Sequence, residues 1–354
     1  MIRRLSLGAP SSVLLVAVLI GCGGGGGGGG GGTPPTAAPS SSATAASPSP
    51  TPGPTFTQFA IPSNWVTLPP PLPGDVGPAN IVTGPDGALW FTMANAPAIG
   101  RVTTSGVFTD YSVAGSMGTY DITVGPDKAL WFTDNNGFIG RMDTSGNVTN
   151  EYPVGSQHSE QGITVGPDGN LWFTDFAPSG ESIGEITTAG AITLYPNIGA
   201  AYLTSGPDGA IWGTQVNTLV RLPTSGVGSM TYSLPSDASL LDLTLGPDNN
   251  LWVTDRQGAI YRVTTTGSYT TFGDTDGLNL RIPVEITANP DGNLYYSAES
   301  ELYGDAIVRM STSGVETPFT LPDNSGPEGI TTGPSGNVWF AETKGNRIGE
   351  LILH

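Results

Sequence analysis

The 354-residue chain is poor in the residues that cross-link proteins and carry out most catalysis, with one cysteine and two histidines. A lone cysteine, Cys22, excludes an intramolecular disulfide, so packing alone must hold the folded part together. The sequence contains no Gly-x-Ser-x-Gly and no His-Glu-x-x-His segment, which excludes those serine hydrolase and zinc protease motifs. His354 is the last residue, and we expect His158 in an exposed loop.

Basic residues are also scarce, with 12 lysines and arginines against 30 aspartates and glutamates. Arg3 and Arg4 belong to a segment that we expect to be removed, which leaves a balance of −20. Such a charge argues against nucleic acid as a partner and against electrostatic adsorption to anionic lipid. It is compatible with a cationic ligand or a divalent metal ion.

The apolar run Val13 to Ile20 is too short to span a bilayer. It follows two arginines and leads into Leu19-Ile-Gly-Cys22, which resembles a lipobox. Residues 1–22 are therefore predicted to be a lipoprotein signal peptide, with Cys22 lipidated and anchored to a bacterial membrane. The alternative is that Cys22 is only a small residue of an ordinary signal peptide. Glycine rather than aspartate after the cysteine favours the outer membrane or the cell surface.

Residues 23–54 cannot bury apolar surface, because ten glycines are followed by a tract of proline, serine, threonine and alanine. We predict a disordered tether. Residues 55–354 are left for one large domain. The stretch Trp65 to Asn80 is predicted to be its longest irregular connection.

A segment of the form Gly-Pro-Asp-x-x-Leu-Trp-Phe-Thr recurs along this domain. Its seven copies begin at intervals of 40 to 44 residues, at Gly84, Gly125, Gly166, Gly206, Gly246, Asn289 and Gly333. Each unit contains four short apolar strands separated by turn residues, as in Tyr120–Val124 and Leu130–Thr133. Repeats of this length made only of strands predict an all-β, seven-bladed β-propeller with four antiparallel strands per blade.

The last repeat supplies only three strands, and Thr55 to Ile61 has the pattern of the missing fourth. We therefore predict that residues 55–62 complete the seventh blade and close the ring. A large aromatic recurs in every second strand, and we interpret it as core between the sheets rather than as a binding ring. These aromatics are Trp90, Trp131, Trp172, Trp212, Trp252, Tyr295 and Trp339.

Acidic residues recur where blades of this type begin their first strands and end their second strands. Both positions lie at one face, here called the top face, which also carries the loops between second and third strands. The eight carboxylates are Asp121, Asp242, Glu285, Glu328, Asp134, Asp175, Asp255 and Glu342. Because crowded acids favour a bound cation, we predict a Mg²⁺ or Ca²⁺ site held by Glu328 and Glu342, with the other six as ligand-binding residues.

The same acids have a structural interpretation. An aspartate at the end of a strand caps the following turn, and an arginine of the third strand could pair with it. Arg141 and Arg262 could do so for Asp134 and Asp255. Glutamates replace that arginine in blades three and seven, so Asp175 and Glu342 are the acids that this interpretation explains least.

The blade pattern Ile-Thr-x-Gly-Pro-Asp-Gly-x-Leu-Trp-Phe-Thr, followed by Ile-Gly-Arg-x-Thr-Thr-x-Gly, closely resembles the streptogramin B lyases over all seven repeats. The resemblance implies a seven-bladed propeller and a metal-dependent elimination that opens a cyclic depsipeptide. It also implies histidine bases at positions that here hold Val284 and Glu328, and a glutamate at the position of Gly326. Glu342 matches a metal-holding position.

Three functional hypotheses follow. The first is a monomeric, lipid-anchored extracytoplasmic propeller that binds a small molecule, peptide or glycan at the acidic top face. The second is a metal-dependent carbon–oxygen lyase or hydrolase that acts on a cyclic depsipeptide or lactone. The third is a structural or adhesive surface protein that uses the turns of the opposite, bottom face.

Overall fold

The computed structural model describes residues 53–66, 77–93, 96–116, 118–155, 159–273, 281–322 and 324–354. The predicted signal peptide with Cys22, nearly all of the tether, the middle of the connection after Trp65, and His158 lie outside these residues. Within them the chain forms strands and a single 3₁₀ turn, Ser63–Val66. None of them belongs to a helix with the length and hydropathy needed to span a membrane.

Twenty-eight strands run through the described residues. The first half of the chain forms β1 (Thr55–Ala60), β2 (Pro78–Thr83), β3 (Leu89–Met93), β4 (Ala98–Val102), β5 (Phe108–Ser112), β6 (Thr119–Val124), β7 (Leu130–Asp134), β8 (Phe138–Met142), β9 (Val148–Pro153), β10 (Ser159–Val165), β11 (Leu171–Ala177), β12 (Gly180–Ile186), β13 (Ile192–Pro196) and β14 (Leu203–Ser205). The second half forms β15 (Ala210–Gln215), β16 (Thr218–Pro223), β17 (Met230–Ser233), β18 (Leu240–Leu245), β19 (Leu251–Asp255), β20 (Ala259–Val263), β21 (Tyr269–Gly273), β22 (Ile282–Ala288), β23 (Leu294–Glu299), β24 (Ala306–Met310), β25 (Glu316–Thr320), β26 (Pro327–Thr332), β27 (Val338–Glu342) and β28 (Arg347–Ile352).

These strands form seven four-stranded antiparallel sheets, which we number as blades one to seven from β2 onward. Each first strand packs against the first strands of its two neighbours, and β26 of blade seven packs against β2 of blade one. The seven inner strands therefore surround a central axis. The predicted seven-bladed β-propeller is confirmed.

Blade seven is closed by the N-terminal strand, as predicted. β1 pairs antiparallel with β28 from Thr55 opposite Ile352 to Ala60 opposite Arg347. Phe59 stacks on Trp339 with ring centroids 5.6 Å apart. On the top-face side, Gln58 Nε2 donates to Glu342 Oε1 at 2.6 Å. The two ends of the described chain are thus held together by pairing, packing and a side-chain hydrogen bond.

The second-strand aromatics are core residues, as the sequence predicts, and all seven are fully buried. In six of the seven blades the aspartate of the turn that precedes the second strand accepts a hydrogen bond from the buried polar group of the ring. Trp131 Nε1, for example, donates to Asp127 Oδ1 at 3.0 Å, and Arg141 Nε donates to Asp127 Oδ2 at 2.8 Å. Five blades have the tryptophan–aspartate bond, and in blade six Tyr295 Oη donates to Asp291 at 2.8 Å.

A β-bulge interrupts the first strand in six of the seven blades, where two residues face one residue of the second strand. A buried hydroxyl of the second strand fixes this bulge. Thr133 Oγ1 accepts from the main-chain N–H of Asp121 at 3.0 Å and donates to the carbonyl of Gln161 in the next blade at 2.8 Å. Four of the predicted acids, Asp121, Asp242, Glu285 and Glu328, lie within these bulges.

Candidate functional site

The inner-strand bulges bring four of the predicted acids together. The charges of Asp121, Asp242 and Glu328 act on Glu285, and the charges of all four acids act on Tyr202, so these residues lie near one another. We call these four acids the axial carboxylates. They come from blades two, five, six and seven, and all four are half-buried.

Each of three axial carboxylates also bridges to the following blade. Asp121 accepts the main-chain N–H of Ile122 at 2.7 Å and that of Ile163, in blade three, at 2.8 Å. Asp242 accepts the N–H of Ile286, in blade six, at 2.9 Å. Glu285 accepts the N–H of Ile330 in blade seven. These side chains therefore hold neighbouring blades in register, in addition to any part they take in binding.

Burial dominates the electrostatics of the axial carboxylates. Burial raises the pKa of Asp121 to about 7, although the hydrogen bonds from the N–H groups of Ile163 and Ile122 lower it. Burial also raises the pKa of Asp242 to about 7, with a contribution from the charge of Asp121. The pKa of Glu285 lies well above its usual value, because burial and the charges of Asp242 and Asp121 all oppose ionisation.

Tyr202 occupies, in blade four, the repeat position of Asp121 and Asp242. Burial raises the pKa of its hydroxyl, and the charges of Glu285, Asp242, Asp121 and Glu328 raise it further. Tyr202 is not among the site residues predicted from the sequence, because those are all carboxylates. The repeat register could have found it, since Tyr202 also stands four residues before a Gly-Pro-Asp turn.

The acids at the ends of the second strands have separate structural roles. Asp134 caps the next turn by accepting the N–H of Asn136 at 2.8 Å, and the hydroxyl of Ser116 also donates to it. Burial raises the pKa of Asp134, against the hydrogen bond from Ser116. Asp255 accepts the N–H groups of Ser239 at 2.7 Å and Gln257 at 3.1 Å. Turn capping, the structural interpretation, thus describes both residues.

The arginine partners proposed for these acids are wrong. Arg141 pairs at the bottom face with Asp127, because the β7–β8 register places it opposite Trp131. Arg262 donates to the carbonyl of Thr312 at 3.2 Å and lies over the ring of Trp252. Asp255 instead receives the hydroxyl of Tyr261 at 2.9 Å.

Glu342 is fully buried and engaged at both oxygens. Arg347 Nη2 donates to Oε2 at 2.6 Å, and Gln58 donates to Oε1. The expectation that Glu342 lacks a structural partner is therefore wrong, because β28 begins with an arginine at the top face. Asp175 is also buried, opposite Ser182 in the β11–β12 pairing.

The fit of these residues to a divalent ion is poor. In the part of the chain that the structure describes, no three histidine, cysteine or carboxylate side chains are placed to hold a metal ion. The guanidinium of Arg347 beside Glu342 also opposes a cation there. The paired metal site at Glu328 and Glu342 stays a prediction.

Comparison with known proteins gives one consistent result. The virginiamycin B lyase family model matches residues 66–201 and 195–354. A solved streptogramin B lyase is 30% identical, with a TM-score of 0.71 over 85% of this chain and 98% of that one. A catalytically inactive histidine-to-alanine variant of virginiamycin B lyase from Staphylococcus aureus, solved with quinupristin, is 28% identical, with a TM-score of 0.71 over 85% of this chain and 99% of that one.

More distant structures share only the fold. The extracellular domain of a hybrid two-component system from B. thetaiotaomicron is 12% identical, with a TM-score of 0.62 over 84% of this chain and 39% of that one. A search of curated proteins finds no match.

Proposed function

The chain belongs to the virginiamycin B lyase family, and on that premise we propose that it is a lipid-anchored extracytoplasmic propeller that binds a cationic ligand at the axial carboxylates. The observation that carries this proposal is the convergence of Asp121, Asp242, Glu285 and Glu328 around Tyr202. The predicted signal peptide, the predicted lipidation of Cys22 and the predicted tether support the anchoring and the location outside the cytoplasm.

The axial carboxylates favour a cation because they are crowded and partly desolvated. The raised pKa values of Asp121, Asp242 and Glu285 indicate that ionisation of these three acids is unfavourable without a compensating positive charge. A ligand ammonium or guanidinium group would supply that charge and could also lie against the ring of Tyr202. The four acids come from four blades, so a cation at the axis would contact several of them while Asp121, Asp242 and Glu285 keep their main-chain N–H bonds to the next blade.

Proton release gives this binding a characteristic dependence on pH. With a pKa of about 7, Asp121 and Asp242 are largely protonated at pH 6 and largely ionised at pH 8. A bound cation lowers both pKa values, so binding releases protons from these carboxyls. Binding therefore becomes tighter as the pH rises toward 7. Calorimetry in two buffers of different ionisation enthalpy measures the number of protons released.

The test uses the full chain and three probes at constant ionic strength: MgCl₂, CaCl₂ and putrescine. We expect at least one probe to raise the melting temperature in a saturable way, more at pH 8 than at pH 6. The double variant Glu285→Gln/Glu328→Gln should lose this response. Asp110→Asn, which removes an exposed acid on β5, is the matched charge control and should keep it.

The outcome also separates the ligand classes. A response to Mg²⁺ or Ca²⁺ alone would favour the predicted metal site, and a response to putrescine would favour an organic cation. If no probe shifts the melting temperature, or if the double variant responds like the wild type, the binding proposal fails.

A second candidate function is the carbon–oxygen lyase reaction, favoured by two aspartates whose pKa near 7 suits a general base at neutral pH. In such an elimination a base removes a proton beside the ester-bearing carbon, a C=C bond forms, and the C–O bond breaks with release of a carboxylate. Asp242 is a candidate base, because its pKa is about 7 even though it accepts the main-chain N–H groups of Ile286 and Leu243.

Liquid chromatography coupled to mass spectrometry of a reaction with quinupristin tests this candidate, because the retention time separates the ring-opened product from the substrate. Elimination opens the ring without a change in mass, whereas hydrolysis adds the mass of one water. Loss of turnover in Asp242→Asn with retention in Asp110→Asn would support Asp242 as the base. Unchanged quinupristin after prolonged incubation would argue against both reactions on this substrate.

A further inference from the structure

At the bottom turn of blade seven, Gly333–Gly336, one buried hydrogen-bond donor lacks the acceptor that the equivalent donor has in the other blades. The indole N–H of Trp339 is fully buried, and among the described residues it has no hydrogen-bond partner. In blades one to five the equivalent tryptophan donates to a turn aspartate at 2.9 to 3.1 Å. Burial of a donor without an acceptor is energetically unfavourable, so an acceptor that reaches the indole N–H is stabilised at this position.

The difference arises from the residue at the third position of the turn. Gly333-Pro-Ser335-Gly has serine where the other six blades have aspartate, and the serine side chain is too short to reach the indole. Trp339 itself has not moved. A Cβ placed on Gly333 would lie 2.5 Å from its Nε1, the same distance as from Gly84 to Trp90 Nε1.

A second donor accompanies the indole. In blade three Asp168 Oδ1 accepts both Trp172 Nε1 at 3.1 Å and the main-chain N–H of Asn170 at 3.2 Å. Asn337 holds the place of Asn170 in blade seven. The indole and the N–H of Asn337 therefore point to where a carboxylate oxygen lies in the other blades.

Blade three also shows that this turn can hold a carboxylate, Asp168, beside a neighbouring glutamate, Glu185. Asn170 Nδ2 donates to Asp168 at 3.2 Å and to Glu185 at 2.6 Å, so that one amide screens two acids. In blade seven Asn337 Nδ2 makes the same bond to Glu350 at 2.7 Å. The blade-seven turn thus retains the tryptophan, the asparagine and the glutamate of the blade-three arrangement, whereas the turn carboxylate is absent and Phe59 takes the place of Tyr195, whose hydroxyl donates to Glu185.

We propose that the bottom turn of blade seven, formed by Gly333–Gly336 with Asn337 and Trp339, binds a small free carboxylate that takes the place of the missing aspartate. The carboxylate accepts the indole N–H and the N–H of Asn337. Ser335 is exposed, so a small ion can approach through the turn when this side chain rotates. The site lies on the opposite face from the axial carboxylates and does not depend on the proposed function.

The test is a titration of the full chain, labelled with ¹⁵N-tryptophan, with sodium acetate against sodium chloride at equal ionic strength. The spectrum contains one indole N–H resonance for each of the seven tryptophans, and Trp339→Phe identifies the relevant one. We expect acetate, and not chloride, to shift that resonance downfield, with half-saturation on the order of 10 mM for two hydrogen bonds without an ion pair.

Two variants make the result decisive. Ser335→Asp should place the Trp339 resonance at its shifted position without acetate and abolish the response. Asp168→Ser, in the matching environment of blade three, should make the Trp172 resonance responsive to acetate. The proposal is overturned if acetate leaves the wild-type resonance unchanged, as expected for a site that holds only water, or if Ser335→Asp responds as the wild type does.

Discussion

Ionisation of Asp242 is expected to destabilise the propeller as the pH rises. Its pKa is about 7 in the folded protein and about 3.9 in an unfolded chain. The folded state therefore binds one more proton than the unfolded state between these values, and this contribution to stability is complete below about pH 4 and lost through pH 7. Between pH 5 and pH 8 the loss amounts to about 2.5 kcal/mol in the free energy of unfolding.

Urea unfolding followed by tryptophan fluorescence at pH 5, 6, 7 and 8, at constant ionic strength, measures this loss. Asp242→Asn keeps an oxygen that can accept the N–H of Ile286 but removes the titrating group. The variant should therefore lose about 2.5 kcal/mol less than the wild type between pH 5 and pH 8. Asp110→Asn serves as the control and should follow the wild type.

Two results would refute this reasoning: a wild-type stability that rises from pH 5 to pH 8, or an equal loss in wild type and Asp242→Asn.

The bottom-face aspartates have the opposite effect and lower the stability of the folded protein at low pH. Burial alone would raise the pKa values of Asp86, Asp127 and Asp208, but hydrogen bonds from tryptophan and arginine outweigh it and lower them. Their contribution is present above the unfolded value and lost as the pH falls through the folded value, so stability should be highest in mildly acidic solution.

Three further substitutions test separate parts of the structure. Glu342→Gln removes the charge that holds Arg347 and should cost about 2 kcal/mol, measured by urea unfolding, with faster amide exchange in β1. Gly146→Ala should cost about 3 kcal/mol, because φ is +84° and the added methyl overlaps the ring of Tyr111; a thermal melt measures it. Thr133→Val leaves two main-chain groups without their hydroxyl partner and should cost about 1–3 kcal/mol in urea unfolding.

Each of these substitutions has a control elsewhere in the chain. Glu151→Gln changes an exposed acid of β9 and should leave stability nearly unchanged. Gly87→Ala has a similar φ of +73° but open space around the added methyl, and should cost only about 1 kcal/mol. Thr271→Val alters an exposed residue of β21. If a control cost as much as its partner, the contact assigned to that partner would be wrong.

The fold was predictable from the sequence because its signals repeat. The Gly-Pro-Asp turn and the following Leu-Trp-Phe strand occur in nearly the same form in every blade. A strand that is ambiguous in one repeat can therefore be assigned from the same position in the other six. The closure by residues 55–62 followed from counting, since the last repeat had three strands and the first segment had the pattern of a fourth.

The candidate site was only partly predictable, because a side chain's partner depends on register and on distant segments. The sequence placed Arg141 near Asp134, but the antiparallel register puts it beside Trp131 and Asp127. It left Glu342 without a partner, although Gln58 and Arg347 both reach it. Repeat position alone predicted eight acids at the top face, and the separation of the four axial carboxylates from the turn-capping acids could not be predicted without the fold.

The pairing of β1 with β28 has a consequence for the order of assembly. Gln58 and Glu342 are separated by 284 positions, so the bond between them can form only after almost the whole chain has been made. Until then blade seven lacks its outer strand, and β1 has no partner. A chain that emerges from its N-terminus onward must therefore carry its closing strand unpaired through synthesis, and completion of the ring is expected to be a late and slow step of folding.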